Sequence, residues 1–139
     1  MALQEARRFE VALDFSVKTY DIDFAGVVSN IVYIRWLEDL RLAWFEAYYP
    51  LEKVLDVGYD PTLAETRIQY RRAIRLGDRP CGRMWMQKVK RLKGIVAAEI
   101  SVDGKIAAVS EQTICLVERS RGRPVPFPED LYTMLSRSI

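Results

Sequence analysis

The residue best placed for chemistry is Asp23, which lies in a short polar loop seven positions before Asn30, where a long helix is predicted to begin. A carboxylate can act as a general base or as a nucleophile. The first backbone N–H groups of a helix have no acceptor within the helix and favour negative charge. The two features together suit attack on a carbonyl group, because negative charge then develops on the carbonyl oxygen.

Asp21 and Asp23 also have a structural interpretation, since Asp in a loop before a helix often accepts hydrogen bonds from nearby backbone N–H groups. Three features favour chemistry at Asp23: apolar residues follow it, Gly26 allows a ligand to approach the backbone, and the helix start is close. If the stretch is extended, alternate side chains point in opposite directions, so only one of the two carboxylates faces a pocket. A paired acid and base is therefore not expected.

Composition excludes several kinds of catalytic site. The 139 residues contain no histidine and two cysteines, Cys81 and Cys115. Catalytic units that depend on histidine are excluded, and so is zinc bound by histidine. The cysteines are not at metal-ligand spacing, so we expect reduced thiols and no metal site. Acid–base chemistry then falls to Asp, Glu, Tyr or Lys.

The first part of the chain predicts a strand and a long helix. Alternating apolar residues predict a strand over 9–19, and polar residues over 20–29 predict a loop. Apolar residues at steps of three, four and seven predict a helix over 30–49, with Ser29 or Asn30 as N-cap and Pro50 as terminator. The connection over 51–60 is ambiguous, with a short second helix as one option.

The rest of the chain is predicted to be rich in strands. Apolar runs separated by turn residues predict strands over 62–74, 82–92, 95–102 and 105–118, with a tight hairpin turn at Asp103 and Gly104. A Pro-rich loop over 120–128 precedes a terminal helix over 129–138. This order predicts a single α+β domain over 1–139, with a long helix wrapped by about five antiparallel strands, the last four in a meander. Open edge strands favour pairing with a second copy.

Charge is segregated along the chain. Residues 21–65 hold nine acids and three bases, whereas residues 66–93 hold ten bases and one acid. The basic residues are either solvated positions on strands or a surface for an anionic ligand such as coenzyme A or nucleic acid. Nucleic acid is disfavoured, because no helix-turn-helix, zinc finger or RNA-binding aromatic motif is present. With no signal peptide or membrane span expected either, we predict a cytoplasmic protein.

The Asp-containing stretch closely resembles that of the hotdog-fold acyl-CoA thioesterases of the 4-hydroxybenzoyl-CoA thioesterase and YbgC type. The similarity lies in residues 20–28 (YDIDFAGVV), in Tyr33 and in residues 36–39 (WLED), and extends more weakly over 9–128. It implies the hotdog fold, a long central helix wrapped by an antiparallel sheet. It also implies hydrolysis of acyl-CoA to free acid and CoA by homodimers or homotetramers, with no cofactor because CoA is part of the substrate.

The resemblance assigns catalytic roles. In the family, the catalytic carboxylate lies ten residues before the helix Tyr, here Tyr33, so the match is Asp23 rather than Asp21. The backbone N–H of Asn30 corresponds to the family's oxyanion donor. Many YbgC relatives carry His at that position, and others carry Asn or Tyr. The predicted catalytic group is therefore Asp23, Asn30 and Tyr33.

The resemblance also implies a basic turn that binds the phosphates of coenzyme A, and this turn corresponds to residues 90–94 (KRLKG). The residues predicted to bind substrate are Gly26, Val27, Glu65, Arg91, Lys93, Gly94 and Arg123. Such sites in the family lie at a dimer interface, so the pocket is expected to draw on both subunits.

Alternative functions remain open. The substrate could be a thioester of acyl carrier protein instead of CoA, or the protein could be a non-catalytic dimeric module that binds acyl thioesters or CoA. A hotdog dehydratase or hydratase is disfavoured, because such enzymes rely on a catalytic His. The acyl group itself, whether aromatic, a quinone precursor or short and aliphatic, does not follow from the residues.

Overall fold

The computed structural model of the chain describes residues 7–137. A turn of 3-10 helix over Thr19–Asp21 separates the first strand from the long helix. In chain order the other elements are β1 Val11–Asp14, α1 Asn30–Tyr48, α2 Leu51–Asp56, β2 Tyr59–Tyr70, β3 Cys81–Val89, β4 Gly94–Val102, β5 Lys105–Glu118, β6 Arg123–Val125 and α3 Glu129–Ser136. None of the helices in this described part has the length and apolar character needed to cross a bilayer.

The long helix α1 forms where its apolar spacing predicted it. Its 19 residues give a length of about 28 Å, and one face is buried against the concave side of the sheet. The buried residues of α1 are Val32, Tyr33, Trp36, Leu37, Leu40 and Trp44. The helix approaches β3 closely at Gly82, where an added Cβ would lie 2.5 Å from the ring of Phe15 and 3.0 Å from Leu40.

The sheet has the order β1-β3-β4-β5-β2, and β6 pairs with β5. The predicted meander of the last four strands is therefore wrong, because β2 pairs with β5 rather than with β3. The predicted long helix with an antiparallel sheet around it is confirmed. The Asp103–Gly104 turn is also present, and both residues have the positive φ angles, 51° and 77°, of a tight hairpin.

Element boundaries differ from the predictions in several places, and β3, for example, ends at Val89 rather than at residue 92. The first strand stops at Asp14, although apolar alternation continues to residue 17. Strand β2 begins at Tyr59 and ends at Tyr70, because the segment after it turns to bond with Ala107. The Pro-rich loop contains the short strand β6, and the terminal helix ends at Ser136. Its predicted last residue, Ser138, lies outside the described residues.

Strand β2 is left at an edge of the sheet, within the part of the chain that the structure describes. Most of its 12 residues are exposed on both faces of the strand. The exposed side of α1 also carries apolar side chains, namely Ile31, Ile34 and Leu42. A long edge strand with free backbone groups is suited to pairing with another chain.

Candidate functional site

The loop before α1 is a small hairpin, and Asp23 is the first residue of its turn. Ile22 and Val28 form an isolated antiparallel bridge. The backbone N–H of Asp23 donates to the carbonyl of Val27 at 2.9 Å, and the carbonyl of Asp23 accepts from Gly26 at 3.0 Å. Gly26 has φ 79°, a left-handed conformation that glycine adopts without strain. The predicted substrate-binding residues Gly26 and Val27 therefore shape the loop beside Asp23.

The carboxylate of Asp23 is half-buried, and its two oxygens lie in different environments. Oδ1 accepts a hydrogen bond from the N–H of Ala25 at 2.8 Å and a longer one from Val27 at 3.5 Å. No residue within 7–137 donates to Oδ2. One oxygen thus fixes the orientation of the carboxylate, and the other is available to a ligand.

Asp21 has a structural position. Its side chain is 6% exposed, and Oδ2 accepts a hydrogen bond from the N–H of Lys18 at 2.8 Å. Its carbonyl accepts from the N–H of Ser29 at 2.8 Å, which fastens the loop to the residue before α1. Asp21 Oδ1 also has no donor within residues 7–137, so the two carboxylates differ chiefly in burial: Asp21 is buried in a 3-10 turn, whereas Asp23 is half-buried.

The start of α1 offers backbone donors close to that loop. Ser29 occupies the N-cap position but makes no side-chain capping hydrogen bond. Its carbonyl accepts from the N–H of Val32 at 2.9 Å. Within the described chain, no acceptor is found for the N–H groups of Asn30 and Ile31. Free donors of this kind, together with the positive end of the helix dipole, can bind an anionic group.

Tyr33 lies one turn into α1 and packs edge-on against Tyr70 of β2, with ring centroids 5.0 Å apart. Burial, and to a lesser extent the neighbouring Tyr70, raise the pKa of Tyr33 to about 12, so its phenol stays neutral at ordinary pH. The Tyr70 hydroxyl donates to the carbonyl of Asn30 at 3.4 Å. Tyr70 was not among the predicted site residues, because its contact with α1 depends on the pairing of β2 with β5.

The other predicted substrate-binding residues lie at a different level of the sheet. Tyr70 pairs with Ala108 of β5, whereas Glu65 pairs with Thr113. Gly94, which follows the turn bearing Arg91 and Lys93, pairs with Ile114 of β5, six residues beyond Ala108 and thus about 20 Å further along the strand. Arg123 pairs further on, with Glu118. Within one chain these residues are not brought together with Asp23, and their role stays a prediction.

A different set of basic residues flanks the Asp23 loop in the same chain. The carbonyl of Ile74 accepts a hydrogen bond from the N–H of Val28 at 2.8 Å, so the segment after β2 lies against the loop. Its four exposed arginines form no ion pair within residues 7–137: Arg71, Arg72, Arg75 and Arg79. The sequence showed only that this region is basic, and the contact with the loop depends on the tertiary structure.

The middle of the concave face carries a buried polar network. Gln112 of β5 is 1% exposed. Its Oε1 accepts from Arg41 Nη1 at 2.9 Å, and its Nε2 donates to Thr66 Oγ1 at 3.1 Å. Burial lowers the pKa of Arg41, and the charge of Glu38 partly offsets this effect. Among the described residues, no group of three His, Cys, Asp or Glu side chains gathers as a metal site would require.

Comparisons with known proteins agree with this architecture. The family model of the thioesterase-like superfamily matches residues 17–135. A curated protein of Synechocystis, sll0410, whose esterase activity is itself an inferred assignment, is 28% identical over 103 residues. This match covers 68% of the present chain, and the chain spans 62% of the length of that relative.

Solved structures share the fold. A DHNA-CoA thioesterase from Staphylococcus aureus superposes with a TM-score of 0.84 at 17% identity, over 91% of this chain and 89% of the other. A thioesterase from Thermus thermophilus, solved in complex with coenzyme A and Zn, gives a TM-score of 0.77 at 25% identity, over 89% and 90%. The predicted hotdog fold is confirmed.

Proposed function

Because this chain belongs to the thioesterase-like superfamily, we propose that it hydrolyses an acyl-CoA thioester to a free acid and CoA. The observation that carries the proposal is the placement of Asp23. One oxygen of this carboxylate is held by Ala25, and the other is left without a partner in the described chain. The loop is tied by Asp21 to Ser29, immediately before the N–H groups at the start of α1.

In the proposed reaction, the thioester carbonyl oxygen accepts a hydrogen bond from the N–H of Asn30. Oδ2 of Asp23 takes a proton from a water molecule as that water attacks the carbonyl carbon. The oxyanion forms at the helix start, where the aligned backbone dipoles stabilise it. Collapse of this intermediate breaks the C–S bond, and the proton held by Asp23 passes to the departing thiolate.

A nucleophilic route uses the same groups. Asp23 Oδ2 attacks the carbonyl carbon, CoA leaves as the thiolate, and water hydrolyses the resulting mixed anhydride. Tyr33 contributes in either route by forming the wall of the site next to Tyr70. Its phenol is neutral because burial raises its pKa, so it adds no negative charge beside the oxyanion.

We also propose that the site is completed by a second copy of the chain. Antiparallel pairing of the edge strand β2 with its own copy would create a twofold interface. It would also bring the Tyr70 end of β2 next to the opposite end of the partner strand. Arg91 and Lys93, which in one chain lie about 20 Å along the sheet beyond the level of Tyr70, would then face the Asp23 loop of the other chain and receive the phosphates of CoA.

The replacement Asp23→Asn tests the proposal. We expect it to lower the rate of thiol release from a panel of acyl-CoAs by about a hundredfold or more, while the circular dichroism spectrum and the melting temperature are unchanged. Asp21→Asn is the matched control, because Asp21 Oδ2 bonds only to the Lys18 N–H. That variant should lower the melting temperature and retain turnover while folded.

Two results would contradict the proposal. Wild-type rates in Asp23→Asn would remove Asp23 from the chemistry. Binding of CoA or acyl-CoA by the wild-type protein, without any thiol release across the panel, would instead identify a non-catalytic binding module. If the protein hydrolyses thioesters of acyl carrier protein but not acyl-CoAs, the proposed catalytic groups stand and the substrate is a thioester of acyl carrier protein instead of CoA.

A further inference from the structure

The arginine segment, residues 71–79, carries positive charge that the proposed reaction does not use. It holds four exposed arginines with no ion pair among the described residues: Arg71, Arg72, Arg75 and Arg79. One of their guanidinium groups makes a hydrogen bond within that part of the chain, from Arg71 Nε to Gln69 Oε1 at 2.9 Å. In the proposed reaction the CoA phosphates contact a different basic turn, so these arginines are free to bind another anionic group.

The backbone of the arginine segment is fixed in place beside the loop before α1. The N–H groups of Arg71 and Arg72 both donate to the carbonyl of Ala107, at 2.7 and 3.1 Å. The N–H of Arg75 donates to Asp78 Oδ2 at 2.8 Å. The hydrogen bond from the loop before α1 to this segment lies between these two anchors. The arginine side chains therefore extend into water from a rigid support next to the candidate site.

Large apolar side chains are exposed on the same two segments. Phe24 of the Asp23 loop is fully exposed, Tyr20 just before that loop is 78% exposed, and Leu76 of the arginine segment is 57% exposed. Arginine and aromatic residues are the types enriched in protein–protein interfaces. A phosphate group would account for the arginines but would leave these apolar side chains without a contact, so the combination favours a protein as the partner.

Two acidic residues lie among the arginines and distinguish a protein partner from a membrane. Arg79 lines a hollow at the surface that also contains Asp14, Ser16 and Asp78. A uniformly anionic lipid surface would repel the two carboxylates. A protein surface can place a basic or hydrogen-bonding group opposite them while its acidic groups pair with the arginines. The mixed pattern therefore fits a protein whose docking face is mainly acidic.

We propose that the arginine segment and the tip of the Asp23 loop dock an acidic carrier protein that presents the acyl group as a thioester. Carboxylates of the carrier pair with the planar guanidinium groups, and Phe24 and Leu76 pack against its apolar side chains. The reaction is the proposed hydrolysis, in which water adds to the carbonyl carbon, the C–S bond breaks and the carrier's thiol is released in place of CoA. This inference rests on the proposed thioesterase function and adds a second class of carrier to its substrates.

The test attaches each acyl group of the panel in turn to CoA and to an acidic acyl carrier protein, and measures thiol release. For the wild type, kcat/KM should be higher with the carrier protein and should fall more steeply as salt is added, because exposed charge pairs are screened. Arg72→Glu and Arg75→Glu, made separately, should each lower kcat/KM for the carrier-protein thioester by about tenfold, mainly through KM. The loss with acyl-CoA should be several times smaller, since its phosphates bind elsewhere.

Lys88→Glu is the matched control. Lys88 is also exposed and forms no ion pair within the described part of the chain, but it lies near the far end of β3. It should leave the preference between the two carriers unchanged. A wild-type protein that hydrolyses acyl-CoA but no carrier-protein thioester would overturn the docking surface, and so would equal losses on both carriers in the arginine variants. Either result would leave the thioesterase proposal in place. Absence of thiol release from both carriers would overturn both proposals.

Sedimentation with vesicles of phosphatidylglycerol separates a membrane from a protein partner. We expect the wild type and Arg75→Glu to sediment to the same extent, because the surface is proposed to bind a protein. Vesicle binding that is present in the wild type and lost in Arg75→Glu, without any preference for the carrier protein in turnover, would identify a membrane contact and overturn the carrier proposal.

Discussion

The two ends of α1 are built differently. At its C-terminal end, Trp44 packs against Phe9 with ring centroids 6.5 Å apart, and Phe9 packs against Tyr48 at 5.3 Å. The Trp44 Nε1–H donates to the carbonyl of Phe9 at 3.0 Å, and the Tyr48 hydroxyl donates to the carbonyl of Glu10 at 2.5 Å. The rings are packed and their polar atoms have partners, so this end holds the fold together.

At the N-terminal end of α1, several polar groups have no partner within residues 7–137. They are the N–H groups of Asn30 and Ile31 and one oxygen of Asp23. Phe24, next to Asp23, is fully exposed. Because unpaired polar groups cost stability, the contrast indicates that one end of the helix supplies stability and the other leaves its polar groups available to a ligand.

The largest expected effect comes from breaking the packed end. Trp44→Ala should lower the free energy of unfolding by about 3–5 kcal/mol, because it leaves a cavity and removes a buried hydrogen bond. Turnover per folded molecule should be retained at low temperature. Urea denaturation and thiol release measure the two quantities.

The exposed Phe24 provides the control for that variant. Phe24→Ala should change the free energy of unfolding by no more than about 0.5 kcal/mol, since the ring is fully exposed. A Trp44→Ala protein that is as stable as the wild type but inactive would contradict the division between the two ends.

The elements of this fold could be predicted from local patterns, because they depend on near neighbours. The spacing of apolar residues predicted α1, and Asp103 with Gly104 predicted the hairpin between β4 and β5. The order of the strands could not be predicted in the same way. Pairing of β2 with β5 is a contact between distant parts of the chain, and local alternation carries no information on the choice of partner.

The candidate site was likewise predictable only for those residues that are neighbours in the sequence. Asp23, Asn30 and Tyr33 belong to one continuous stretch of chain, and the structure keeps them at one end of α1. Tyr70 reaches that end only through the register of β2 and β5. Nothing in its immediate sequence distinguishes it from other strand residues, so only the folded structure could add it to the site.

The second prediction concerns whether the remote basic turn serves the site of a partner chain. Arg91 and Lys93 are exposed, and replacing both by Ala should raise KM for acyl-CoA by about tenfold through lost phosphate contacts. This double variant and Asp23→Asn are then mixed under conditions that allow subunit exchange. If each site combines Asp23 of one chain with Arg91 of the other, every mixed dimer regains one native site.

In an equal mixture, about a quarter of all sites should then have native KM, because half of the dimers are mixed and each has one intact site. The same two proteins mixed immediately before the assay, with no time to exchange, provide the control. If no activity with native KM appears after subunit exchange, Asp23 and Arg91 act within one chain. That result would contradict the shared site without affecting the role of Asp23.

The smallest expected effect is the titration of Tyr33. Burial raises its pKa from 10.0 to about 12, so the folded state favours the neutral phenol. The stabilisation that arises from this raised pKa is fully present below about pH 10 and is lost as the pH rises towards 12. Tyr33→Phe should therefore make the decline in unfolding free energy over that range shallower, as measured by urea denaturation at a series of pH values.

Tyr49 gives a matched control at the packed end of α1, because burial also raises its pKa to about 12. Both Phe variants should alter the pH dependence of stability, but only Tyr33 lies beside the proposed oxyanion. The contradicting outcome is a pH–rate profile that rises between about pH 10 and 12 in the wild type and is flat over that range in Tyr33→Phe but not in Tyr49→Phe. Such a profile would mean that the Tyr33 phenol must ionise during turnover. A negatively charged phenolate would repel the oxyanion that the helix start is proposed to stabilise, so the proposed site would be wrong.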